Sequence, residues 1–294
     1  MIATVLYLSQ PFAQHALIAG ALVAVTCGLI GPFVVTRGMA FAVHGTSELA
    51  FTGAAAGLLV DNNPIGGALV GALIVACVIA ALGARERERD SAIGVILAFG
   101  LGIGVLLLGY YHGFATAATN ILFGNIFGVS NDQLLTLFTI GVVVVAVMAF
   151  VFRPLLFASV DADVATARGV PVGRLGLVFL LVLALTVTAA AQVVGTLLVL
   201  SLAITPAAAA QRWSPNPLTV TGLSIGFALV AADGGILASL AGTTIKPSVF
   251  VTSISFGIYL VSRLLGPRVS RRGRRPADDR SDAGTPDTDM VGSA

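Results

Sequence analysis

The chain has 294 residues, of which 57% are hydrophobic and only 10% charged, with a formal net charge of +2 and a mean hydropathy of +0.98. Soluble domains carry about 25% charged residues, so there are too few charges here to cover a water-facing surface. A soluble enzyme, a disordered chain and a nucleic-acid-binding module are thereby excluded. The few charges are also segregated. Only Arg37, Glu48 and Asp61 occur before residue 85, and only Asp132 lies between residues 91 and 152. Each bilayer crossing needs about 20 apolar residues, and the long uncharged runs supply several. The composition therefore points to an all-α, polytopic transmembrane helix bundle of about 8–9 spans.

In chain order, the first predicted helix covers 15–35. It lacks a basic leader and a cleavage site, and reads as a retained helix rather than a signal peptide. The second, 39–60, is the least apolar, because it contains His44, Glu48 and several glycines. The third covers 64–84 and the fourth 91–110. Cys27 and Cys77 both fall inside predicted spans, so no disulfide is expected. Gly100-Leu-Gly-Ile-Gly superficially looks like a nucleotide loop, but no strand precedes it. His112 follows Tyr110 and Tyr111, which an interfacial aromatic belt explains, and His15 has the same account. The stretch 120–129 is too short to span and reads as a re-entrant or surface helix. A fifth helix follows at 133–152.

Next comes a polar loop, 153–174, with a short helix from Asp161 to Arg168. Acids at its start and an arginine at its end complement the helix dipole. Gly169 suits the stop and Pro171 prevents continuation. This is either a docking knob or an ordinary structured loop. Helices at 175–193, 195–210, 218–240 and 248–265 complete the membrane domain, residues 1–265. Residues 266–294 change to a basic cluster followed by Asp, Ser, Gly, Pro and Thr, and read as a disordered cytoplasmic tail. Its basic part is expected to rest on anionic lipid headgroups. The pairs Gly53/Gly57, Gly67/Gly71, Gly100/Gly104 and Gly222/Gly226 have the small-xxx-small spacing of close helix packing within a bundle.

Arginines collect on the cytoplasmic side of membrane proteins. Here they follow every second helix: Arg37, then Arg85/Arg87/Arg89, then Arg153/Arg168/Arg174, then Arg212, then the Arg268–Arg275 cluster. The alternate loops hold Asp61, Asp132 and Lys246. The alternation predicts a plasma-membrane protein with its N-terminus outside and its C-terminus in the cytoplasm.

Ionisable groups within a membrane are costly and mark candidate functional sites. They are His44 and Glu48 in the second helix and Asp233 in the eighth. His44, Ser47 and Glu48 stand at i, i+3 and i+4 and share one helical face. An imidazole and a carboxylate on one face could contact a divalent cation such as zinc or manganese. Alternatively, Glu48 pairs with a neighbouring helix. Asp233 precedes Gly234-Gly235, which suggest a loosened helix, so it either lines a pathway or caps a broken helix end. No nucleophile triad, cysteine cluster or phosphate loop is present, and no enzymatic activity is expected of this chain.

Four stretches together resemble the membrane subunits of the zinc/manganese class of ATP-binding-cassette importers. Gly28-Leu-Ile-Gly-Pro-Phe-Val-Val-Thr-Arg-Gly-Met-Ala-Phe looks like the family's first helix end and its Arg-x-Met-Ala turn. His44-Gly-Thr-Ser-Glu-Leu-Ala-Phe-Thr-Gly is similar to its Asp-Ala-Leu-Ser-His-Ala-x-x-x-Gly segment. The run containing Asp161, Ala165 and Gly169 resembles the family's helix that couples to the ATPase. Val194-Gly-Thr-Leu-Leu-Val-Leu-Ser-Leu-Ala-Ile-Thr-Pro-Ala-Ala resembles its Val-Gly-x-Leu-Leu-Val-x-x-Leu-Leu-x-x-Pro-Ala-Ala helix.

The resemblance implies a homodimeric permease for a divalent metal substrate, with alternating access powered by a separate ATP-binding subunit. That subunit would dock at Asp161, Ala165 and Gly169 and would be the one to use ATP; this chain would bind no cofactor. An extracellular or periplasmic metal-binding protein would deliver the ion. His44, Ser47, Glu48 and Asp233 are the pathway candidates, with Glu48 and His44 as the metal contacts. One departure stands out: Glu48 replaces the family's histidine, and the family's basic residue near Gln192 is absent. A site richer in oxygen favours manganese or another hard cation over zinc, or a metal chelate as substrate. The rival readings are a secondary transporter needing no ATPase, and a non-transporting membrane scaffold or sensor. Inverted repeats would mark the secondary transporter, and none is evident between the halves.

Overall fold

The computed structural model describes residues 10–81, 86–111, 120–196, 198–241 and 245–266, with only the backbone of 86–90 and 92. His112, Arg85, the Arg87 and Arg89 side chains, the Arg268–Arg275 cluster and the tail beyond Gly266 lie outside it. Among the described residues all regular structure is helical. The helices are α1 (Pro11–Thr36), α2 (Ala40–Val60), α3 (Pro64–Ala81), α4 (Glu86–Gly109), α5 (Asn131–Val160), α6 (Ala162–Ala167), α7 (Val172–Val194), α8 (Val199–Ala210), α9 (Pro217–Leu240) and α10 (Pro247–Leu265). Six of them, α1, α3, α5, α7, α9 and α10, are long and apolar enough to cross a membrane. The length of α2 would also suffice, but His44, Ser47 and Glu48 lower its hydropathy. The apolar parts of α4 and α8 are shorter.

Local sequence sets the helix ends. Pro11, Pro217 and Pro247 occupy first-turn positions, where a missing N–H costs nothing. Ser130 and Gln133 form a reciprocal capping box at the start of α5. The fifth helix outruns its expected end at 152 by eight residues, to Val160. Arg153 does not stop it, because an arginine stem can lie along apolar surface while its head reaches water. Pro154 gives up only one backbone bond. The polar loop is correspondingly shorter than the sequence suggests.

The helices form two groups around a shared spine. α2 packs on α3 and α4, while α1 packs on α8 and α9, which carry α10. α7 touches α1, α2, α3 and α5 and ties the groups together. Gly53 and Gly57 of α2 meet Gly67 and Gly71 of α3 backbone to backbone, where no side chain would fit. Gly100 and Gly104 of α4 accommodate Leu49 and Phe51 of α2. The fourth pair departs from expectation: Gly222 and Gly226 have nothing within 4 Å, so their side of α9 is not a packing face within the chain.

Candidate functional site

Within this frame α2 carries His44, Ser47 and Glu48 into the protein interior. The Ser47 hydroxyl donates to the Thr196 carbonyl at 2.6 Å, tying α2 to the junction of α7 and α8. Glu48 is 4% exposed, and its Oε2 has no hydrogen-bond partner. His44, half-buried one turn away, has a partnerless Nδ1. An anchored helix thus presents an imidazole nitrogen and a carboxylate oxygen whose bonding capacity is unused, an arrangement that can hold a cation. Among the described residues, no group of three or more His, Cys, Asp or Glu side chains gathers anywhere.

The junction itself is the structural surprise. The sequence suggests helices at 175–193 and 195–210 separated by a single residue. Instead α7 stops at Gly195, which has φ +94° and ψ 154°, and α8 starts only at Val199. At 1.5 Å per residue α8 covers about 18 Å, short of the ~30 Å hydrocarbon core of a bilayer, so α8 alone cannot cross one, and the break leaves open backbone between it and α7. Open backbone there needs partners from protein, and the 120–128 stretch provides them. Its described part is helical over 120–123, followed by Gly124 at φ +74° and a 3-10 turn at Ile126–Gly128. The Thr196 N–H donates to the Ile121 carbonyl at 3.2 Å, and the Ser248 hydroxyl donates to the Phe123 carbonyl at 2.7 Å. Gly124 and Gly195 pack against each other's backbone. Where a re-entrant or surface helix is expected over 120–129, the described helix ends at residue 123, and the stretch after it seals the α7–α8 break.

Sequence reasoning missed two residues at this place. Gln192, at the last turn of α7, has neither amide atom bonded, and the Thr196 hydroxyl is likewise partnerless. Both line a cavity of about 250 Å³. The only hint was the missing basic residue near Gln192.

Asp233 lies elsewhere. α9 runs unbroken through Asp233-Gly234-Gly235, so the expected loosened or broken helix end is absent. Gly235 is small because Val251 of α10 presses on it. Asp233 faces α1 at Gly20: a Cβ there would lie 3.1 Å from Oδ1, which has no partner. Since α9 packs on α1, α8 and α10, the structure does not bring Asp233 into the His44–Glu48 group.

The short helix α6 projects from the end where α1 finishes and α2 begins. Asp161 Oδ1 accepts from the Val164 N–H at 2.9 Å, capping its start. Gly169, at φ +80°, donates to Thr166, and Val170 donates back to Ala165 at 3.0 Å. Only Ala165 is buried; Asp163, Val164, Thr166, Ala167 and Arg168 are exposed. α6 is thus capped at both ends and anchored by one methyl group. Cavities of about 400 and 280 Å³ lie beside the C-terminal ends of α1 and α5, next to α6.

The profile of the ABC 3 transport family matches residues 9–266. The manganese transport system membrane protein MntC of Halalkalibacterium halodurans is 32% identical over 234 residues, covering 79% of this chain and 80% of that one. The high-affinity zinc uptake system membrane protein ZnuB of Haemophilus influenzae is 28% identical, covering 81% and 92%. A solved structure of PsaBC from Streptococcus pneumoniae in complex with a Fab superposes with a TM-score of 0.82 at 28% identity, over 91% of this chain and 97% of its match.

Proposed function

The chain belongs to the ABC 3 transport family, and on that premise we propose that it is the multi-pass permease of an ATP-driven importer for a divalent metal, manganese before zinc. The observation that carries this reading is the buried Glu48 with half-buried His44 one turn away, both with unused donor atoms, beside the break between α7 and α8. Relatives named for manganese and for zinc transport support the substrate class. The pair itself, one imidazole nitrogen and one carboxylate, suits either ion; the manganese-named relative is the more identical of the two, at 32% against 28%. One chain offers two donors, so a homodimer around a shared path would offer two such pairs. With α2, α4 and α8 added to the six long helices, the span count becomes nine, the N-terminus lies outside, and residues 266–294 form a cytoplasmic tail. An extracellular metal-binding protein delivers the ion, and a separate subunit binds and hydrolyses ATP. The chain itself performs no catalysis.

The exposed, doubly capped α6 supports the assignment of Asp161, Ala165 and Gly169 as the ATPase dock. Gly169 has nothing within 4 Å, so a side chain there acts on the backbone alone. A β-branched residue at positive φ is strained by about 1–3 kcal/mol. Gly169→Val should therefore loosen the C-terminal cap and lower ATP-coupled uptake severalfold in a protein that still folds. Uptake per ATP hydrolysed is the quantity to measure, and an unchanged ratio removes the docking role.

Proteoliposomes with the chain, its ATPase and its binding protein test the whole reading. Uptake that needs ATP and both partners, with manganese outcompeting zinc, is the expected result. Gradient-driven uptake by the chain alone would make it a secondary transporter. Uptake of a chelate but not of free ions would move the substrate class.

A further inference from the structure

The cavity of about 250 Å³ beside the α7–α8 break lies between α2, α3, α7, the start of α5 and the 120–125 stretch. Its polar lining is Asn120, Asn125, Gln133, Thr188, Gln192 and Thr196, so its donors are amides and hydroxyls without a formal charge. Alanines 50, 54, 68 and 191 supply much of the remaining wall. Thr188 is committed to the Ala184 carbonyl, and Gln133 Oε1 accepts from the Ser130 N–H. Gln192 is not committed: both its amide atoms are buried and partnerless. Nor is the Thr196 hydroxyl, on a residue only 2% exposed. Buried polar atoms left unpaired cost stability, and such groups in a folded protein call for an occupant.

We propose that this chamber is a second cation site, where Gln192 and Thr196 hold a divalent metal ion that still carries most of its water, and that Gln192 selects hard ions over zinc there. Amide carbonyl and hydroxyl oxygens are ligands for hard divalent cations. Two neutral ligands displace few of a divalent ion's waters, so most of its shell stays. Six waters at ~30 Å³ each fit with their ion in the space available. Thr196 also connects the chamber to the buried pair, because its carbonyl is bonded to Ser47, next to Glu48. The ion thus waits in a neutral room beside the charged one. This inference rests on the metal-importer reading above.

The test is manganese uptake into proteoliposomes of the complete transporter, with zinc as competitor, for the unmodified chain, Gln192→Leu and Gln192→Asn. Leucine keeps the volume and removes both amide atoms. It should raise the KM for manganese about tenfold and narrow the preference over zinc, with asparagine recovering part of both. Electron paramagnetic resonance of manganese on the solubilised transporter should show weak binding in Glu48→Gln that the double variant with Gln192→Leu loses. Should Gln192→Leu fail to fold, Thr196→Val gives the same readings, since its hydroxyl bonds nothing. Unaltered KM and zinc competition in a folded variant would overturn the site and leave a water-filled void. No metal uptake by the unmodified transporter would overturn the importer reading and this site together.

Discussion

Glu48→Ala should cut metal uptake about a hundredfold while the ATP-binding subunit still co-purifies with the chain. The carboxylate is 4% exposed, one oxygen has no partner, and the only ionisable group assigned to its face is His44. Holding an unbonded carboxylate inside a bundle is expensive. A residue kept for structure would repay that cost through a bond, and Glu48 Oε2 has none. Glu48→Gln should therefore leave the thermal unfolding temperature unchanged or raise it, because a neutral amide costs less to bury. Uptake and thermal unfolding of both variants check this. Wild-type uptake together with lower stability would return Glu48 to a structural role.

Gly195→Ala should lower the stability of the folded chain by about 3 kcal/mol or more, read as early thermal unfolding in detergent. Two effects add. The φ of +94° with ψ 154° lies in backbone space that residues with a Cβ essentially never occupy. A methyl group would also strike the Leu122 carbonyl, Phe123 and the Gly124 nitrogen on the facing stretch. These contacts seal the break between α7 and α8, so the loss should reach transport as well. Gly222→Ala is the matched control, with open space around it and an ordinary helical backbone, and should change little. A Gly195→Ala chain as stable as the unmodified one would mean that the break is not held by this packing.

The apolar runs made the helices legible, since every predicted span has a helix in the structure. The cap signals of α6 were equally readable: Asp161 and Gly169 act through bonds to residues three away or nearer, which a local pattern can encode. The Gly234-Gly235 pair misled as a loosened helix, whereas α9 runs through it unbroken and Gly235 makes room for Val251 of another helix. The Gly222/Gly226 pair misled in the opposite direction, with nothing in the chain within 4 Å of where either Cβ would stand.

By itself, then, the sequence determined the membrane bundle, the family resemblance and the His44–Ser47–Glu48 face, because hydropathy and i, i+3, i+4 spacing are properties of one helix. Only the tertiary structure decided how wide the break after α7 is, what seals it, and that Gln192 and Thr196 face a common chamber while Asp233 sits against α1. The physical reason is that a polar atom in a membrane protein is defined by its partner or by the lack of one. Ser47 finds its partner 149 residues away, and no local pattern carries that distance.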